Sequence, residues 1–224
     1  MRNIRENIEK IREILPERAT LIAVSKTKST EEILEAYECG IRDFGENKVQ
    51  ELEEKYEALP KDIRWHFIGS LQTNKVRKLV GKTCLIQSLD RKALAEEIDK
   101  RAKLQDIVVD ALIEINIGEE ENKTGILKKD LDAFIESLTD LRHINIRGLM
   151  AIIPQGDEEE NRKYFQKMKE VFIVLKERER EHFSMEILSM GMTMDYRTAL
   201  EEGSNMVRVG TGIFGNRNKI KGGN

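Results

Sequence analysis

Between Thr20 and Val209, eight short strand-like runs alternate with stretches whose apolar residues recur at helical spacing. Strands that alternate with helices read as parallel βα units. Eight of them in 224 residues allow a doubly wound open sheet or a closed (β/α)8 barrel. A dinucleotide-binding open sheet wants Gly-x-Gly-x-x-Gly after its first strand, and Ala23-Val-Ser-Lys-Thr-Lys28 does not supply it. The unit count and the short connections predict an α/β fold of the single (β/α)8 TIM barrel type. It forms one domain over residues 1–224, with an extra N-terminal helix over residues 1–18 packed on the barrel.

That extra helix carries Ile4, Ile8, Ile11 and Ile14 on one face. The first strand is the run from Thr20 to Val24, and Ser29 or Thr30 then caps a helix through Ile33, Leu34 and Tyr37 that Gly40 stops. The second strand is Ile41 to Phe44, with Gly45-Glu-Asn47 a sharp turn into a helix through Val49, Leu52 and Tyr56. Arg64 to Ile68 is the third strand, and Thr73 or Asn74 opens a helix from Lys75 to Val80. Cys84 to Gln87 is the fourth, with Asp90 capping the helix through Leu94 and Ile98, and Val108 to Ile117 is the fifth. A helix from Leu131 to Leu138 precedes the sixth strand, Ile144 to Met150, and a long helix from Glu158 to Arg180 presents Phe165, Met168, Phe172 and Leu175 on one face. Met185 to Leu188, a helix from Met194 to Glu202, and Met206 to Val209 complete the set.

Composition removes several classes of function. A formal net charge of -3 gives no reason to expect a nucleic-acid partner. No apolar run approaches the roughly 18 residues of a membrane span, and the charged start, Met1-Arg-Asn-Ile-Arg-Glu, is unlike a secretion signal, so a cytoplasmic protein is expected. Cys39 and Cys84 stand far apart and outside any Cys-x-x-Cys pattern, and His66, His143 and His182 are scattered, so no metal site is expected and both thiols read as core or near-core groups. The basic runs Lys75-Val-Arg-Lys78 and Arg217 to Lys221 read as solvated surface.

A barrel gathers the carboxyl ends of all its strands around one mouth, where ligands bind. Lys26 tops the first strand and Asn47 the second, with His66 and Ser70 near the third. Across the mouth come Leu188-Ser-Met-Gly-Met-Thr193 and Val207-Arg-Val-Gly-Thr-Gly212, glycine-rich tips in which Met192, Thr193, Gly210 and Thr211 can offer amides, and the threonines hydroxyls, to a phosphate. A lysine facing such a cradle suits a phosphorylated carbonyl compound held as an imine. Pyridoxal phosphate has both ends of that description; a Schiff-base sugar-phosphate aldolase is the rival. Arg208, two residues before the phosphate loop and pointing inward by strand alternation, discriminates, because it can donate to a pyridine nitrogen.

The segments Ala23-Val-Ser-Lys26, Phe44-Gly-Glu-Asn47, Trp65-His-Phe-Ile-Gly69 with Leu71-Gln72, Arg147-Gly-Leu-Met150, Leu188-Ser-Met-Gly-Met192 and Val207-Arg-Val-Gly-Thr-Gly-Ile-Phe-Gly215 together resemble the pyridoxal phosphate homeostasis protein family, in order and over nearly the whole chain. The resemblance implies a barrel like the N-terminal domain of alanine racemase, with Lys26 forming the internal aldimine, Arg208 facing the pyridine nitrogen, Asn47 lining the cofactor, and Met192, Thr193, Gly210 and Thr211 holding the phosphate. Thr193 stands where serine is usual in that family, keeping the hydroxyl; Met194, Tyr196 and Asn205 also depart from its pattern.

The implied role is binding, buffering and delivering pyridoxal phosphate, possible recipients being apoenzymes that depend on it, by a monomer without robust turnover and without catalytic residues. A pyridoxal phosphate-dependent racemase is the alternative. It needs a second base, which alanine racemase takes from a tyrosine of another domain, and the sequence ends soon after the eighth strand. Tyr37, Tyr56 and Tyr164 fall in helices, and only Tyr196 comes near the mouth. The plainer readings are a packed His66, a helix-capping Asn47, mouth packing for Met150 and Met192, and a solvated Lys123.

Overall fold

The structure, a computed structural model, describes residues 3–216; the basic run Arg217 to Lys221 lies outside them. Eight parallel strands close in sequence order: β1 (Thr20–Val24), β2 (Asp43–Glu46), β3 (Arg64–Phe67), β4 (Leu85–Leu89), β5 (Val109–Ile115), β6 (Ile144–Ala151), β7 (Phe183–Ser189) and β8 (Met206–Val209). The ring is completed by β8 against β1, in a register that sets Ile22 beside Arg208. Around it run α1 (Ile4–Arg12), α2 (Thr30–Glu38), α3 (Val49–Ala58), α4 (Lys92–Leu104), α5 (Leu131–Glu136), α6 (Glu158–Lys176), α7 (Tyr196–Glu201) and α8 (Thr211–Phe214).

Side chains alternate along each strand, so every strand divides its residues between two cores. One is the large layer between strands and helices, built on Ala23, Phe44, Trp65, Ile113, Leu149 and their neighbours. The other fills the barrel: Ile22, Leu85, Leu112, Met150 and Met206 form a separate buried cluster, with Ile187 packed against it. The barrel is therefore plugged below its mouth.

The local chemistry that the sequence advertises is largely in place. Ser29 and Glu32 form a reciprocal capping box at the start of α2, and Asp157 and Glu160 form another at α6. In α1, Ile4, Ile8 and Ile11 are buried, and Asn7 Nδ2 donates to the Ile213 carbonyl at 2.9 Å, tying the extra helix to α8. The helix is shorter than its pattern, and Ile14 lies beyond its end, 37% exposed.

Several boundaries differ from the sequence reading, each for a physical reason. Gly45 and Glu46 belong to β2 instead of a turn, because Gly45 faces inward where a Cβ would stand 3.0 Å from Ile22 and 3.1 Å from Ile68. The segment after β3 is a 3-10 helix, Thr73–Lys78, burying only Val76. Asp90 pairs with Arg91 instead of capping α4. The long α6 stops at Lys176, and Val171 shares its buried face where Phe172 is only half-buried. The helix α7 starts at Tyr196, after a turn in which the Asp195 and Tyr196 amides both donate to the Met192 carbonyl. Cys84 is exposed, with Sγ donating to the Trp65 carbonyl at 3.3 Å, and Cys39 is half-buried. No helix among the described residues is long and apolar enough to cross a membrane.

Gly148 is the most demanding backbone position in the sheet. Its φ is +149°, and a Cβ there would overlap the Ile187 carbonyl oxygen of the neighbouring strand. Replacing Gly148 with Ala combines left-handed backbone strain with a backbone clash, so it should lower unfolding free energy by about 3 kcal/mol or more. Chemical denaturation checks this, and a loss under about 1 kcal/mol would show that β6 and β7 can slide apart without strain.

Candidate functional site

The mouth encloses a cavity of ≈ 940 Å³, and the tips of the strands line it as alternation requires. On β1 the inward series Ile22, Val24 continues to Lys26; on β8 the series Met206, Arg208 continues to Gly210. Lys26, Asn47, Met192, Thr193, Arg208, Gly210 and Thr211, scattered through the chain, all border this one space.

Lys26 is half-buried, and its amine has no hydrogen-bond or carboxylate partner among the described residues. Its neighbours differ: Lys28 pairs with Glu32, and Lys55 with Glu46 and Glu51. The loop carrying Lys26 is built on a buried polar knot. Glu46, fully buried, accepts from Ser25 Oγ at 2.6 Å and from Lys55 Nζ at 2.7 Å through one oxygen, and Lys55 also donates to the Ser25 carbonyl at 2.9 Å. Its second oxygen has no partner among the described residues. Burial pushes the Glu46 carboxyl up, and Lys55 and Ser25 offset this only in part, so it stays above its ordinary value. Just past Lys26, Thr27 adopts φ +63°, unusual for a β-branched residue, and its amide is held by Glu51 at 2.8 Å. These ties give the loop, and thereby Lys26, a defined place.

Across the mouth the tips after β7 and β8 are stitched together by one side chain. Thr193 Oγ1 accepts from the Gly210 amide at 3.3 Å and the Gly212 amide at 3.1 Å. The Met192 amide donates to Asp195 Oδ1 at 2.6 Å. Of the four residues expected to offer amides, two thus have theirs engaged within the protein. The amides of Thr193 and Thr211, joined by that of Met194, meet no acceptor among the described residues. The Thr193 hydroxyl accepts twice and keeps its proton to donate. Met192 is 38% exposed and stands at the rim, while Met150 lies deeper, in the barrel-filling cluster.

Arg208 is 3% exposed. Nη1 donates to Ser189 Oγ at 2.6 Å and Nη2 to the Ala151 carbonyl at 2.8 Å, leaving Nε without an acceptor among the described residues. Burial pulls its guanidinium down to about 10, with Glu114 and Asp195 opposing, so it remains a cation at neutral pH. Asn47 does not cap α3, whose N-cap is Lys48, and borders the cavity instead. Lys123 pairs with Glu120 and is exposed. Tyr196 opens α7 without bordering the cavity.

Two mouth residues escaped the sequence reading. Glu114 on β5 is 6% exposed, accepts from Thr124 Oγ1 at 2.7 Å, and is pushed above its ordinary value chiefly by burial. A carboxylate inside the run Ala111-Leu-Ile-Glu-Ile115 was the available signal. Asn161, from the first turns of α6, places a buried Oδ1 without a partner at the same cavity. Taken together, a free amine faces unengaged amides and a hydroxyl across one cavity floored by a fixed cation. That arrangement suits a compound with a carbonyl at one end and a phosphate at the other.

The family model for the alanine racemase N-terminal domain matches residues 1–218. A pyridoxal phosphate homeostasis protein of Aquifex aeolicus is 48% identical over 202 residues, 89% of this chain and 87% of its own length. PipY of Synechococcus elongatus, solved without and with pyridoxal phosphate bound, is 37% and 36% identical with TM-scores of 0.89 and 0.87, covering 95% of this chain and 100% of PipY in both states. An alanine racemase of Clostridium difficile, at 16% identity and a TM-score of 0.76, shares the fold over 97% of this chain and 60% of its own.

The knot beneath Lys26 generates a prediction with a definite sign. In Lys55→Met, Glu46 keeps only the Ser25 hydroxyl, and an uncompensated buried carboxylate costs about 3–5 kcal/mol. Its folded-state pKa, already above the unfolded value, rises further, so the native state binds the extra proton. Stability of the variant relative to the parent therefore recovers as pH is lowered from neutral, as the buried carboxyl protonates. Urea denaturation at several pH values checks this; a deficit independent of pH would remove Glu46 as its cause.

Proposed function

The chain belongs to the pyridoxal phosphate homeostasis protein family, built on the alanine racemase N-terminal domain, and from this we propose that it binds pyridoxal phosphate in the barrel mouth and holds and releases it without substrate turnover. The observation that carries the reading is the unpaired Lys26 amine facing the unengaged amides of Thr193, Met194 and Thr211 across a single cavity. When bound, pyridoxal phosphate supplies an aldehyde that condenses reversibly with a primary amine.

The residues present fit that group. Lys26 is the amine, kept unpaired and positioned by the Ser25, Glu46 and Lys55 knot beneath it. Thr193 and Thr211 would donate to the phosphate through amides and hydroxyls, in the tips that Thr193 Oγ1 ties together through the Gly210 and Gly212 amides. Met192 stands at the rim, and Asn47, which borders the same cavity as Lys26, would line the cofactor. Arg208 would offer its unengaged Nε–H to the ring nitrogen.

Arg208 also sets the character of the site. A guanidinium has donors and no acceptor, so it neither takes nor gives a proton there. It leaves a ring nitrogen unprotonated and withholds the electron sink that carbanion chemistry at an amino acid needs. No tyrosine borders the cavity among the described residues, which supports the carrier reading over racemisation. The same reading makes the chain a cytoplasmic monomer that passes pyridoxal phosphate to apoenzymes; two unpaired cysteines suit a reducing compartment.

Adding pyridoxal phosphate should give a visible absorption band that borohydride fixes onto Lys26 and that Lys26→Ala lacks. Thr193→Ala should weaken binding about tenfold, the loss of one hydrogen bond to a charged group together with the stitch between the two tips. Solvent-proton exchange at the α-carbon of added amino acids should stay at background; robust exchange would make the protein a racemase. Absence of the band with cofactor in excess would sink the reading and leave the cradle to a sugar phosphate.

A further inference from the structure

Below the mouth, Arg208 heads a line of polar side chains in the barrel interior whose other members the cofactor reading does not use. Arg208 Nη1 donates to Ser189 Oγ at 2.6 Å, and Ser189 Oγ donates to Gln87 Oε1 at 2.7 Å. Gln87 Nε2 meets His66 Nδ1 at 3.2 Å, and His66 Nε2 meets Asp43 Oδ1 at 3.0 Å. Asp43 stands at the foot of the barrel, where Arg64 Nε also donates to it at 2.8 Å. All five side chains are buried, Gln87 and Ser189 at 0% and His66 at 3%. They come from five different strands, each at an inward-facing position.

The polarity of this line follows from its lower end. Burial pushes the Asp43 carboxyl up, but the bonds from His66 and Arg64 outweigh it and hold it below its ordinary value, so Asp43 is a carboxylate and accepts only. His66 then donates to it through Nε2, and in the neutral imidazole Nδ1 is a lone pair. Nδ1 takes the Gln87 amide nitrogen, so Gln87 turns its oxygen toward Ser189. Ser189 donates to that oxygen and offers its own lone pair to Arg208. With His66 neutral, every bond in the line pairs one donor with one acceptor, and reversing a single bond opposes two donors or two acceptors in a buried site.

We propose that Asp43, His66, Gln87 and Ser189 form a positioning relay that fixes the guanidinium of Arg208 in one orientation. The proposal rests on the cofactor reading, in which Arg208 Nε–H meets the ring nitrogen. The relay presents an acceptor to Nη1 before any ligand arrives, so the cation is already aimed when the mouth fills. None of the first three relay residues borders the cavity, so they act through Arg208 alone. They are positioning residues, and they give His66 a role distinct from both catalysis and passive packing.

The test uses Gln87→Met, and Ser189→Ala as the smaller change in case the first folds poorly, each made in the parent and in an Arg208→Gln background. In the cofactor-free parent, nitrogen-15 NMR should show the Arg208 Nη groups resolved by hindered rotation, and either variant should speed that exchange about tenfold or more. Titration with pyridoxal phosphate should show about a tenfold loss of affinity for either variant, the scale of one hydrogen bond to a charged group. The same variants should cause no further loss once Arg208 is Gln. Equal losses in both backgrounds, or a guanidinium as immobile in the variants as in the parent, overturns the relay. Failure of the parent itself to bind pyridoxal phosphate is a failure of the cofactor reading, and the NMR comparison, which needs no cofactor, then decides the relay by itself.

Discussion

The pairing of β8 with β1 is the interaction on which the rest of the molecule depends. It joins the last strand to the first in a register that sets Ile22 beside Arg208 and Ala23 beside Val209. Only with that ladder closed do the loop after β1 and the loop after β8 face the same cavity. The ladder is also where the two cores meet, because Ile22 and Met206 fill the barrel while Ala23 and Val207 face the helices. Loss of this pairing would open the sheet, expose two strand edges and separate Lys26 from Arg208 at once.

Closure places polar groups where water is scarce, and the chain handles the two halves of the mouth differently. Beneath Lys26, the buried carboxylate of Glu46 is neutralised by Lys55, leaving Lys26 the unpaired amine of that loop. Beneath the opposite wall, Arg208 has no carboxylate in direct contact among the described residues; neutral acceptors, Ser189 Oγ and the Ala151 carbonyl, hold it. A carboxylate against Arg208 would compete for the donor that a ligand needs. Dipolar partners orient the cation without cancelling its charge.

Sequence patterns located nearly every element, and their errors share a cause. Gly45-Glu-Asn47 reads as a turn by composition, yet Gly45 is glycine because Ile22 and Ile68 crowd the barrel interior there. Asp90 looks like a cap from its position, but Arg91 takes it. At the mouth, Lys26, Arg208 and the two glycine-rich tips, read from the sequence as neighbours, do border one cavity. The distribution of amides between the tips was not legible: the Met192 amide goes to Asp195, and Thr193 takes those of Gly210 and Gly212.

By itself the sequence determined what local interactions control. The spacing of apolar residues along the chain set eight strands with helices between them, Ser29 and Glu32 set a helix start, and Lys26 at a strand end with glycine-rich tips across from it marked the barrel's mouth. Tertiary structure alone decided which inward-facing residues meet. Glu114, Gln87 and Ser189 lie in apolar or unremarkable strand contexts, and nothing near them in sequence names their partners. Their hydrogen bonds run between different strands, so partner and polarity depend on the register of the closed barrel and on the exclusion of water from its interior, and neither exists until the chain has folded.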